Sequence, residues 1–358
     1  MLGAGTLAAA VALAACGGHS AASSGSSPQQ AVQTAVSDLG AQSNVKVVLS
    51  LPISPAQAKE LSAKSGGHMT TQEADALTSG TVFFEEATGS HEAVDSTQAM
   101  SDPNNAYDFG LTIGKDTLLE VRYVDQNLYV RAQLQKLLTD LGQDPASAAK
   151  FDNHLNSINT YVPGISELGQ GKWVEISHSG LQSLSGVLKQ MEQSSRTSVN
   201  PTTLRTDILK LRKDLLTAIQ SNATFSGLSS SNGRQGYSAT VNVANVVNTI
   251  KPEIASTLSS IPGLGTQISG ALGKAQSSIP AGQKAVVDLY VSHNRLSEAD
   301  LDLNQFAGKQ KVGFPVPIRL AFSSPGAPKA PSGATVLDVS KVPGLLAGLL
   351  GGSHTTTG

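Results

Sequence analysis

Tyr107-Asp108-Phe109-Gly110-Leu111-Thr112-Ile113, then Gly114-Lys115-Asp116, then Thr117-Leu118-Leu119-Glu120-Val121-Arg122-Tyr123-Val124, then Asp125-Gln126-Asn127, then Leu128-Tyr129-Val130-Arg131, is the stretch on which the fold turns. Tyr107, Phe109, Leu111 and Ile113 alternate with smaller or polar residues, which is the period of a strand with unlike faces. Leu119, Val121 and Tyr123 form an apolar face on the next segment, with Glu120 and Arg122 on the other. Gly, Lys, Asp, Gln and Asn supply the turns. The stretch therefore predicts an antiparallel meander with one apolar and one wet face.

The pattern extends in both directions. Upstream, Val32, Val36 and Leu39 lie on one helical stripe, Val45–Leu51 reads as a strand closed by Pro52, and Thr81–Glu85 as a second strand after a Ser/Gly/Thr-rich loop. Downstream, Leu134, Leu137, Leu138 and Leu141 return to helical spacing, as do Phe151, Leu155 and Ile158. Gly171–Ile176 is a strand holding the single Trp. Helical stripes follow at Leu181–Met191, from Asn200-Pro201 to Ile219, and in two weaker pieces within 254–272. Strands are expected at 236–243, 287–292, 301–303, 318–322 and 335–339. The sum is about eleven strands with helices between them, an α+β chain. Its core is expected to be a large curved antiparallel sheet whose apolar side is covered by helices. The stretches 194–199 and 226–233 are too brief to divide it, so residues 31–342 are assigned to one domain.

Composition narrows the function classes. Of 358 residues, 39% are hydrophobic and only 4% aromatic, so the core must be mainly aliphatic. A net charge of −2 provides no basic field, and nucleic acid is not expected as a partner. One cysteine permits neither an internal disulfide nor a thiolate metal cluster.

That cysteine, Cys16, ends the apolar run Leu7–Ala15 and precedes Gly17-Gly18 and a Ser/Gly/His-rich segment. Leu13-Ala14-Ala15-Cys16 resembles the lipobox of bacterial lipoprotein signal peptides, although Met1-Leu2-Gly3 lacks the usual opening Lys or Arg. The resemblance implies that residues 1–15 are a signal peptide and that Cys16 carries a diacylglyceryl thioether. It also implies a chain held on the extracytoplasmic face of the cell membrane. Residues 16–30 read as a flexible tether. At the other end, Val342–Leu350 is apolar but too short to span a bilayer, and residues 343–358 are taken as an apolar segment and tail.

The order of elements resembles the fold shared by the periplasmic lipoprotein carrier LolA and the mycobacterial lipoproteins LppX and LprG. The matching stretches are Asn127–Leu138, Gly171–Ile176, Ala285–Leu303 and Val316–Val339, with additional helical sequence between about Gln193 and Ser278. The resemblance implies a half-barrel whose concave face, covered by helices, holds the acyl chains of lipid or lipidated cargo. It implies no cofactor and no catalytic residue, and it admits a membrane transporter as a further partner. A gap between an apolar sheet face and its helices would be dry and accept apolar ligands. The candidate lining residues are Phe109, Leu111, Val121, Tyr123, Leu289, Val291 and Leu320. A filled core would instead make the chain an envelope lipoprotein that binds a protein partner.

Enzyme motifs were weighed against this reading, and no enzyme activity is expected. Ser147-Ala148-Ala149-Lys150 matches the Ser-x-x-Lys of penicillin-binding enzymes, but Lys64-Ser65-Gly66 precedes it rather than follows it. No Gly-x-Ser-x-Gly elbow occurs. The seven histidines, at 19, 68, 91, 154, 178, 293 and 354, have no His-x-x-x-His spacing, so no metal site is expected. Glu85 and Glu86 fall on opposite faces of a strand and cannot work as a carboxylate pair.

Overall fold

The computed structural model describes residues 27–96, 102–142, 144–159, 161–184, 214, 217–219, 221–231, 233–249, 252, 282–308 and 311–339. Cys16 and most of the tether, the stripe from Asn200, the pieces within 254–272 and the segment 343–358 lie outside these residues, apart from a few positions of the stripe.

In chain order, the principal elements are α1 (Pro28–Gly40), β1 (Asn44–Ser50), α2 (Pro55–Lys64), α3 (Thr71–Ser79), β2 (Gly80–Ala87) and β3 (Ala106–Ile113). Next come β4 (Asp116–Val124), β5 (Asn127–Ala132), α4 (Leu134–Asp140), α5 (Pro145–Ile158), α6 (Ile165–Gly169) and β6 (Val174–Ile176). The remainder is β7 (Ala223–Ser231), β8 (Arg234–Asn242), β9 (Lys284–Ser292), β10 (Arg295–Asp302), a 3-10 turn (Leu303–Phe306), β11 (Pro317–Ser323) and β12 (Thr335–Val336). The fold is α+β. Among the described residues, 12 strands form an open, mainly antiparallel sheet in the order β12-β6-β5-β4-β3-β2-β1-β11-β10-β9-β8-β7.

The chain groups into two compact units. Residues 1–52, 92–97 and 197–324 form unit 1, and residues 53–91, 98–196 and 325–358 form unit 2.

In unit 1, α1 starts because Ser27 caps it. The Ser27 hydroxyl accepts from the Gln30 N–H at 3.3 Å, the Gln30 side chain accepts from the Ser27 N–H at 3.1 Å, and Pro28 occupies the first turn. The stripe Val32, Val36 and Leu39 packs with Leu289, Leu296, Leu320 and Phe322 into the core of the unit. Its strands β1, β11, β10, β9, β8 and β7 are all antiparallel neighbours. The helix thus covers the apolar face of this half of the sheet, as the periodicity predicts.

In unit 2, β2, β3, β4, β5 and β6 are antiparallel, and β12 joins β6 in parallel. Two-residue turns join β3 to β4 and β4 to β5. Two helices stand where the sequence reads as a loop. Ser54-Pro55-Ala56-Gln57 and Thr70-Thr71-Gln72-Glu73 are reciprocal capping boxes that open α2 and α3. Their short, alanine-rich bodies lack a broad apolar stripe, so the caps and not the periodicity define them. The stretch 226–233, read as a brief linker, is mostly strand: its residues 226–231 belong to β7, which pairs with β8 from Ala223↔Val241 to Ser231↔Arg234.

Candidate functional site

The meander has the expected alternation of faces and an unexpected distribution of solvent. Direct cross-strand partners share a face, so Phe84, Phe109, Val121, Val130 and Val174 form one unbroken row across β2 to β6. Tyr107, Tyr123, Leu128 and Ile176 make a second row beside it, and Val82, Leu111, Leu119 and Ala132 a third. With strands ~4.8 Å apart, the five-residue row extends about 19 Å. Tyr107 lies with its ring centroid 6.3 Å from that of Phe84 and 6.3 Å from that of Tyr123.

This apolar face is open at one end and closed at the other. Phe84 and Phe109 are 42% and 41% exposed. Val174, at the far end of the row, is buried with Leu337 and Val339, and Ile165 and Leu168 of α6 pack there. The result is an apolar ramp running from exposed phenyl rings to a covered aliphatic end.

The opposite face corrects the expectation of a wet surface. Glu120 is only 3% exposed and Asp108 5%. Arg131 donates from Nε to Glu120 Oε2 at 2.9 Å and from Nη2 to the same oxygen at 2.5 Å. Arg122 pairs with Glu120 Oε1, donates from Nε to Asp108 Oδ2 at 3.1 Å, and donates from Nη1 to the Lys329 carbonyl at 2.8 Å. Both guanidiniums stack on the Trp173 ring, with its centroid 5.0 Å from Arg122 Cζ and 4.9 Å from Arg131 Cζ. Charges can be buried here because each carboxylate has a guanidinium and the guanidiniums have an aromatic face and a carbonyl. Alternation alone could not reveal that this face is covered by its own arginines, Trp173 and the chain near Lys329.

Of the seven candidate lining residues, Phe109, Leu111, Val121 and Tyr123 lie together on the ramp in unit 2. Leu289 and Leu320 are buried in the unit 1 core under α1, and Val291 packs against that core. Phe84 and Val82 belong to the ramp and were not among the candidates; the alternation of Val82 and Phe84 in β2 was the available signal. A separate recess of about 300 Å³ opens in unit 1, lined in part by Leu39, Leu296 and Phe322. None of the seven candidates borders it. Ser147 and Lys150 both lie on α5, and Lys150 is exposed. Among the described residues, no group of three or more His, Cys, Asp or Glu is placed to hold a metal ion.

No protein-family model and no curated protein matches the chain. Among solved structures, the crystal structure of LprF from Mycobacterium bovis aligns with 86% of this chain and 97% of that chain, at 12% sequence identity and a TM-score of 0.31. The chemistry open to the ramp follows from its own residues. It offers area and aliphatic or phenyl contacts, which suit a ligand that needs to leave water rather than one that needs directional bonds.

Proposed function

We propose that the protein is a membrane-anchored extracytoplasmic lipoprotein that binds or transfers acyl lipids, with the alkyl chain seated on the ramp from Phe84 and Phe109 toward Val130. One observation carries this reading. The aromatic side chains of a sheet face remain about two-fifths exposed while the carboxylates behind them are buried. An ordinary half-buried sheet does the reverse. Each methylene that moves from water onto such a face contributes about 0.8 kcal/mol. Anchoring through Cys16 would keep the ramp beside the membrane from which chains are drawn. No catalytic step is part of the proposal.

The test is native mass spectrometry of the full chain purified from a lipid-rich host, with Phe109→Asp as the comparison. Phe109 is exposed enough for aspartate to be tolerated, so the melting temperature should hold while occupancy by acyl lipid falls at least about tenfold, or 1.4 kcal/mol. Ligand-free native protein would overturn the reading. The rival, an envelope protein that uses the same face to hold a protein partner, would instead enrich one protein and no lipid from membranes.

A further inference from the structure

The edge of the unit 1 sheet is independent of the ramp. Its outermost strand is β7, Ala-Thr-Phe-Ser-Gly-Leu-Ser-Ser-Ser from Ala223 to Ser231. An edge strand presents a row of unpaired N–H and C=O groups, and proteins ordinarily protect it with charge, proline or brevity. Strand β12 is protected by brevity, having two residues. Strand β7 lacks these three protections, being nine residues long with no Lys, Arg, Asp, Glu or Pro, and its one irregularity is a register shift between Leu228 and Ser231. Among the described residues its main chain pairs only with β8. Six of its residues are exposed, including Leu228 at 39%.

We propose that β7 is a self-association edge, on which a second copy of this chain adds its own β7 in antiparallel register about a two-fold axis near Gly227. The occupant follows from the strand itself. A two-fold axis near Gly227 lines both strands with the same nine side chains, so a charged strand would face its own charges, whereas this one has none. Centring at Gly227 places Ser226 opposite Leu228 and Phe225 opposite Ser229 of the other copy. Phe225 already packs against the core, so its ring stays in place while the backbone groups pair. Each Leu228 faces a small Ser226, and nothing lies within 4 Å of where a Gly227 Cβ would be. A single added ladder buries little area, so the pairing is concentration-dependent rather than obligate.

Sedimentation of the full chain in detergent over ~1–100 µM is expected to show a monomer–dimer equilibrium. Ser226→Lys together with Leu228→Lys should weaken it at least tenfold without lowering the melting temperature. Gly227→Cys, made in a chain whose Cys16 is replaced by Ser, should cross-link to a covalent dimer on mild oxidation, because paired antiparallel positions fall within disulfide reach. A native chain that stays monomeric across that range, lysine variants that associate as strongly as the parent, or a Gly227→Cys thiol that stays reduced would each overturn the proposal. Lipid occupancy is unaffected in every case, which keeps this result separate from that of the ramp.

Discussion

Asp288 shows how one carboxylate can work against its own fold. It lies on β9 directly opposite Asp300 of β10 and Ser238 of β8. Arg319 is committed to Asp300, with Nη2 to Oδ2 at 2.7 Å, and Arg234 to Glu298, with Nη1 to Oε2 at 2.7 Å. Burial first, and then the Asp300 charge, push the Asp288 carboxyl above its ordinary 3.8, while a hydrogen bond with Ser238 pulls it partly back. The folded state therefore holds this proton more tightly than the unfolded chain does. That contribution to stability is complete below 3.8 and is lost as pH rises through the raised value. Asp288→Asn keeps an acceptor for Ser238 and removes the ionisation. Calorimetry should find the variant more stable than the parent at pH 7, by about 1–2 °C, with the difference fading near pH 3.

At the scale of elements, the turn between β4 and β5 carries a local backbone constraint. Asp125 and Gln126 sit at φ 52° and 64° in a two-residue hairpin, where Asn-Gly is the preferred pair. Replacing them with Asn and Gly should remove a left-handed cost of about 1 kcal/mol. The melting midpoint should rise by about 1–3 °C, and a fall would mean that the turn contributes contacts beyond its backbone. The apolar face of this hairpin was legible from the sequence through its alternation, whereas its turn reads as Asp125-Gln126-Asn127 and is two residues long, with Asn127 already paired to Val124. The α1 stripe was legible for the same kind of reason, since Val32, Val36 and Leu39 repeat at helical spacing. Helices α2 and α3 were hidden because Ala, Ser, Gln and Lys give no stripe, although Ser54…Gln57 and Thr70…Glu73 announced their starts. Strand β7 was hidden because Ser and Gly read as linker; only its pairing with β8 makes it a strand.

For the whole molecule, each half repeats one arrangement: arginines of the sheet pair with carboxylates on the same face, and an aromatic ring supports at least one guanidinium. Arg234 stacks 5.0 Å from the Tyr290 ring in unit 1, as Arg122 and Arg131 do on Trp173 in unit 2. The four ramp candidates were legible because strand alternation assigns a face. Their exposure was not, since solvent access depends on what distant segments cover. The placement of Trp173 also makes the molecule its own optical instrument. It is the single tryptophan of 358 residues, and it sits in unit 2 in contact with two guanidiniums that pair with a buried glutamate. Its emission should therefore report the unfolding of unit 2 alone, whereas far-ultraviolet dichroism reads the strands of both units. If heating separates the two curves, the halves melt independently; if they coincide, a single cooperative transition governs the chain.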